Sequence, residues 1–150
     1  MASGLQLAAL VTFSVMRGAT FHASVAGLAW FAGAAVALAV ATYGIAETMA
    51  NRIGEEKYVN TIPAIGFALW FFAGSLSSIH ALPSWLTFVT KLLPVTHAVA
   101  LMRYGAGLHA AGLHAIWGLG DPTVMAALSL GVLVIYAAGF MYLAVRSSST

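Results

Sequence analysis

The chain has 150 residues, of which 61% are hydrophobic and only 7% charged. A soluble domain carries about 25% charged residues and is about 45–50% apolar, so six Lys+Arg and four Asp+Glu cannot cover a water-exposed surface of this size. A soluble enzyme, a nucleic-acid binder and a disordered tail are excluded, and the sequence reads as an all-α, polytopic transmembrane helical protein whose medium is the lipid bilayer. A net charge of +2 is too small to indicate a polybasic partner surface. The absence of cysteine removes disulfides, thiolate metal sites and cysteine nucleophiles.

The opening stretch, Met1 to Met16, is apolar but short for a crossing. It has no Lys or Arg ahead of its apolar run and no A-x-A site after it, unlike a secretory signal, and it reads as the end of a span that begins upstream. The next stretches are bounded by charge. No formal charge falls between Arg17 and Glu47, between Lys57 and Lys91, or between Asp121 and Arg146. Each gap exceeds the roughly 20 helical residues that a bilayer core requires. The first full span is expected over about 21–46. Ala29, Gly33, Ala37 and Ala41 recur there at every fourth residue and predict a small-residue packing stripe. Glu47 then sits at a solvated interface beside a polar loop, Asn51 to Lys57. The second span is expected over about 61–80, with Pro63 near its start, Trp70, Phe71 and Phe72 in its middle and Ser75, Ser77, Ser78 and His80 at its far end.

A stretch that is neither a span nor an ordinary loop follows. Leu82-Pro83-Ser84-Trp85 breaks the helix. Trp85, Phe88, Val89 and Leu92 then recur at helical spacing, Pro94 breaks the pattern again, and Val95 to Tyr104 forms a second short helix ending at Gly105. Both pieces are too short to cross, and proline sets their boundaries. Over about 83–105 they read as a re-entrant or interfacial hairpin. Non-helical backbone at membrane depth survives only inside protein or facing water, so the hairpin marks a pathway or a gate. The last span is expected over about 123–145, with Asp121 as N-cap and Pro122 at the first helical position. It stops at Arg146 and a serine tail.

Five histidines, His22, His80, His97, His109 and His114, raise a haem- or metal-binding alternative. His109 and His114 are five residues apart, whereas residues three or four apart share a helix face, and interfacial histidines need no metal to explain them. Arg103 ends a hairpin helix and is read as snorkelling to the interface, with a buried functional role as the alternative. Nothing resembles a phosphate-cradling loop, a serine–histidine–acid set or paired carboxylates, so no catalytic residue, metal ligand or bound cofactor is assigned to the chain.

The series Phe71-Phe72-Ala73-Gly74, then Leu82-Pro83-Ser84-Trp85-Leu86, then Leu93-Pro94-Val95-Thr96-His97-Ala98-Val99 and Arg103 resembles the C-terminal half of ABC-2 type transporter permeases, the membrane subunits of ATP-binding cassette exporters. In that family an F-F-x-G span end is followed by an L-P-x-W-L turn, a short helix, an L-P-(L/V)-T-(H/Y)-A-V…R segment and the final span. Thr96-His97-Ala98 is most similar to the drug and lipo-oligosaccharide exporter branch. The chain departs from the family where Gly74-Ser75-Leu76-Ser77-Ser78-Ile79-His80 replaces G-x-(F/L)-F-P.

The resemblance implies a six-span permease of which this chain supplies the last three spans and the tail of another. It implies Asn51–Lys57 inside and Pro83–Gly120 outside, in a multi-pass bacterial inner or plasma membrane. Arg52, Lys57 and Arg146 would then be inside and Arg17, Lys91 and Arg103 outside, an even split in which the short Arg52–Lys57 loop carries the greater weight. Partners implied are an ABC ATPase subunit, which binds ATP and Mg²⁺, and a second permease copy. Phe71, Phe72 and Gly74 would line or narrow the path, and the segment holding Pro83, Trp85, Pro94, His97 and Arg103 would form its outer gate. The substrates implied are amphipathic drugs, lipids or lipid-linked saccharides. Besides the haem or metal alternative, a small structural membrane protein without a transport role stands as a third reading.

Overall fold

The computed structural model describes residues 24–53, 66, 83–108 and 110–148. No strand occurs among the described residues. Besides Gly66, which is helical, the described residues form helices, in chain order, α1 (Val25–Ile53), α2 (Ser84–Leu92), α3 (Pro94–Gly105), α4 (Ala111–Trp117) and α5 (Pro122–Ser148). Two of them, α1 and α5, are long and apolar enough to cross a membrane. At 1.5 Å per residue each is about 40 Å long, enough for a hydrocarbon core about 30 Å thick. Apart from Gly66, the expected second span lies outside the described residues, as does the opening stretch Met1–Met16.

Ser24 starts α1 by accepting the Gly27 amide on its hydroxyl at 3.0 Å. Polar side chains inside this helix are satisfied locally. The Thr42 and Thr48 hydroxyls donate back to the Leu38 and Gly44 carbonyls at 2.7 Å each, which suits an apolar medium. Helix α1 runs past the expected end at Ala46 to Ile53, so Asn51 to Ile53 are helical rather than loop. The charge gap located the apolar stretch, but Glu47 to Arg52 contains neither Gly nor Pro, and nothing there breaks the backbone ladder.

Helix α5 begins as expected. The Asp121 carboxylate accepts the Thr123 amide at 2.8 Å, and Pro122 takes the first helical position, where its missing N–H is harmless. It too outlasts the expectation, ending at Ser148. The Ser147 and Ser148 hydroxyls donate to the Ala144 and Val145 carbonyls of the last turns at 2.8 and 2.9 Å, so these side chains too are satisfied locally.

The two long helices are parallel. Gly33 packs on Leu130, Gly44 on the Phe140–Met141 backbone, and Asn51 donates to the Ser147 hydroxyl at 3.2 Å, with both chains advancing together. The packed face of α1 is Gly27, Ala34, Ala37, Ala41 and Gly44, with Trp30 also against the core. This alternating spacing of three and four keeps Ala37 and Ala41 of the expected stripe and departs from its first half: Ala29 is exposed and Gly33 only half-buried. Four residues turn a helix by about 400°, so a strict i, i+4 row drifts by about 40° per step, whereas alternating three and four holds one seam. At Gly44 the approach is close. A Cβ there would lie 2.7 Å from the Phe140 carbonyl carbon and 2.9 Å from the Met141 nitrogen.

Helices α2 and α3 form where the prolines predict, with Pro83 before one and Pro94 opening the other. Leu93 between them is extended (φ −73°, ψ 131°), as the Cδ of a following proline requires. The result is an elbow of 79°. The far end of α3 crosses the start of α1 glycine on glycine: a Cβ on Gly105 would lie 2.8 Å from the Phe31 nitrogen. Helix α4 was not expected. It closes on Gly118 in the left-handed region (φ 68°), which glycine adopts without strain, and it packs through Gly112 on Ala100. Leu101, Leu113, Met125 and Leu133, one or two from each of α3, α4 and α5, are fully buried at the centre.

Candidate functional site: the elbow between α2 and α3

A break in a helix leaves carbonyls without amide partners. At this elbow Pro94 has no N–H to offer, so the last carbonyls of α2 need donors from elsewhere. Three arrive. The Leu93 amide donates to the Thr90 carbonyl at 3.2 Å. The imidazole of His97, one turn into α3, gives its Nε2–H to the Lys91 carbonyl at 2.9 Å. The Tyr136 hydroxyl of α5 donates to the Leu92 carbonyl at 2.8 Å.

The second ring nitrogen of His97 fixes the direction of the remaining bonds. Because Nε2 faces a carbonyl it carries the proton, and in the neutral ring Nδ1 is then an acceptor. Ser129 Oγ lies 3.3 Å from Nδ1 and donates to it. The same oxygen accepts the Trp117 indole N–H at 2.8 Å. One chain of donors thus runs from Trp117 on α4 through Ser129 on α5 and His97 on α3 to the carbonyl of Lys91 on α2. His97 and Ser129 are buried, and the Trp117 ring packs beside the imidazole with centroids 5.7 Å apart. Every polar atom of the neutral His97 ring is satisfied, which is what a dry interior demands. Among the described residues, the one buried side-chain polar atom without a partner is the Thr96 hydroxyl, beside His97 in the first turn of α3.

The elbow lies deep. Tyr136 is level with it, roughly 20 Å by helical rise from either end of Pro122–Ser148. From there α3 returns to the level of the start of α1, where Gly105 meets Gly27. It is therefore a half-length helix with its N-terminus at the middle of the two long ones.

Of the residues singled out by sequence, the structure brings Pro94 and His97 together at this elbow. Pro83 and Trp85 stand at the other end of α2, with Trp85 68% exposed. Arg103 lies exposed on the last turn of α3. Phe71, Phe72 and Gly74, and with them His22, His80 and His109, lie outside the described residues. No group of three His, Cys, Asp or Glu able to hold a metal ion occurs among the described residues, and both nitrogens of His97 are engaged as above.

Ser129, Tyr136 and Trp117 escaped the sequence reading, and Thr96 entered it only as a member of the family-like series, with no role of its own. A signal for the first two was present. Ser129 and Tyr136 are two of the few hydroxyl residues of a largely apolar span, seven apart and so on one helix face. No protein-family model matches the chain, nor does any curated relative or solved structure.

Proposed function

We propose that the chain is a membrane permease subunit, or part of one, of the ABC-2 type, forming the path of an exporter driven by a separate ATPase. The observation that carries this reading is the deep elbow at Leu93-Pro94, falling within the Leu-Pro-Val-Thr-His-Ala-Val series on which the resemblance rests. A chain that spans lipid avoids interrupting a helix at depth unless the break lines or gates a cavity. This one is interrupted by proline and then furnished with His97 and Tyr136 as substitute donors.

The parallel arrangement of α1 and α5 adds independent support for a multi-pass protein. If both cross the membrane in the same sense, the chain between Ile53 and Pro122 must return an odd number of times. A second full span over 61–80, with α2 and α3 as a re-entrant element, satisfies that count. Arg52 and Arg146 lie in the last turns of α1 and α5, hence at the same end, which favours that end as cytoplasmic.

In this reading the permease catalyses no reaction. ATP binding to the partner favours one of two arrangements of the membrane helices through contacts that differ between them. The elbow is the element whose position against α5 distinguishes the two. The test is purification, in mild detergent, of the native protein carrying a tag after Thr150. The expected result is co-purification of an ATP-binding cassette subunit. A preparation that contains the chain and no ATPase, at every detergent tried, refutes the proposal.

A further inference from the structure

We infer that the first turn of α3 is a binding point for the anionic head group of an amphipathic molecule, with the Thr96 hydroxyl as its side-chain donor. The inference deepens the permease reading and rests on it for the role of the site, but the binding itself is testable on the chain alone.

Two independent observations carry it. The first is the position of α3. It is a twelve-residue helix whose N-terminus lies at the mid-level of α1 and α5, and such an end carries a partial positive charge from the aligned peptide dipoles. Normally the negative end of the preceding helix would oppose it across a break as short as this one. Here it does not, because the final carbonyls of α2 already accept the Leu93 amide, the His97 ring and the Tyr136 hydroxyl. Lys91, the only charged residue of α2, stands on its last turn and adds to the positive field. No acidic residue occurs in either helix.

The second observation is Thr96. It is 1% exposed, and its hydroxyl has no partner. A helical threonine normally returns its hydroxyl to the carbonyl four residues back, as Thr42, Thr48, Thr87 and Thr90 all do here. For Thr96 that carbonyl is Leu92, which belongs to α2 on the far side of the elbow, where Tyr136 donates to it. The Cα–Cβ bond tilts toward the helix N-terminus, so the hydroxyl is aimed over the first turn with a donor to spare. An unmet buried hydroxyl is destabilising, and it is retained where a ligand can satisfy it. A half-helix N-terminus presented at mid-depth is the arrangement that broken transporter helices use toward anionic groups.

The probe is dodecyl phosphate, titrated by calorimetry against the full chain in phosphatidylcholine nanodiscs, with inorganic phosphate and dodecyltrimethylammonium as comparison ligands. Dodecyl phosphate is expected to bind. Thr96→Ser, which keeps the hydroxyl, should stay within about twofold of the unmodified chain. Thr96→Val and Thr96→Ala, which remove it, should weaken binding about tenfold, the scale of one hydrogen bond to a charged group. Neither variant removes a bond that the folded chain makes, so both should fold, and thermal unfolding at or above the unmodified temperature verifies it.

Preference for dodecyl phosphate over inorganic phosphate identifies an amphiphile, while equal binding of both identifies free phosphate and overturns the amphiphile assignment. Equal affinity of the valine variant, or tighter binding of dodecyltrimethylammonium, overturns the site. Failure here with an ATPase still co-purifying removes the binding point and leaves the permease reading standing; binding without an ATPase does the reverse.

Discussion

Replacing His97 tests whether the elbow is held by side-chain donors. His97→Leu keeps most of the buried volume but removes two contacts, the bond to the Lys91 carbonyl at 2.9 Å and the one with Ser129 at 3.3 Å. The second loss is mild, since Ser129 keeps the Trp117 N–H at 2.8 Å. The first leaves a carbonyl unmet at a break, where the penalty is about 1–3 kcal/mol. Measured side-chain bonds between membrane helices are weaker, about 0.6 kcal/mol on average. The Lys91 carbonyl has no amide to fall back on, however, because the elbow has removed it, so a loss of about 1–3 kcal/mol is expected.

Tyr136→Phe deletes a single bond at the neighbouring carbonyl and should lose about 0.5–1.5 kcal/mol. Because the two donors serve adjacent carbonyls of one break, the double variant should depart from additivity by about 0.5 kcal/mol or more. Reversible unfolding in mixed micelles, followed by tryptophan fluorescence, reads all three, with Trp117 against the His97 ring as a local reporter. Two conservative replacements separate the contributions. A glutamine amide reaches about as far as Nε2 and can keep the Lys91 bond; an asparagine reaches only to Nδ1 and can keep the Ser129 contact. His97→Gln should therefore recover more stability than His97→Asn. If the two are equal, or if His97→Leu is as stable as the unmodified chain, the carbonyl cap is not what holds the elbow.

Gly44→Ala should destabilise by about 1–3 kcal/mol, since its Cβ meets the α5 backbone at 2.7 and 2.9 Å. Gly139→Ala, which meets nothing within 4 Å, should be neutral or slightly stabilising through helix propensity in the same unfolding assay. Asp121→Ala should lose about 1 kcal/mol by uncapping α5, and Asp121→Asn most of that loss less, read by helicity and unfolding temperature. The chain has no cysteine, so single substitutions report topology cleanly. Arg52→Cys and Ser148→Cys should react with an impermeant maleimide from one side of sealed vesicles and Gly118→Cys from the other. Labelling of the first two from opposite sides would refute the parallel crossing.

Much of the framework was legible because it rests on local rules. Charge gaps placed α1 and α5, Asp121-Pro122 started one of them, and Pro83 and Pro94 set the starts of α2 and α3. What was missed depends on residues far apart in sequence. The packed seam of α1 follows from the path of α5 beside it, which turns Ala34 and Gly44 inward and leaves Ala29 outside. Helix α4 has too few residues to show a period, and its stability comes from burying Leu113 and Ile116. His97 was singled out as a member of a family-like series, but its partners Ser129 and Lys91 stand 32 residues after and six before it, and no spacing rule connects them.

The two donors at the elbow differ in what they tie together. His97 reaches back from α3 to α2, so its bond stays within the bent pair and moves with it. Tyr136 reaches across from α5, and the Ser129 contact likewise joins the pair to α5. A displacement of the pair against α5 would therefore break the Tyr136 and Ser129 contacts and leave the His97–Lys91 bond intact. The angle of the elbow would be preserved while its position changed. Two side-chain bonds of roughly 0.6 kcal/mol each in a membrane interior lie within the 1–3 kcal/mol that a coupled ligand typically supplies, so the contacts to α5 are weak enough to be switched.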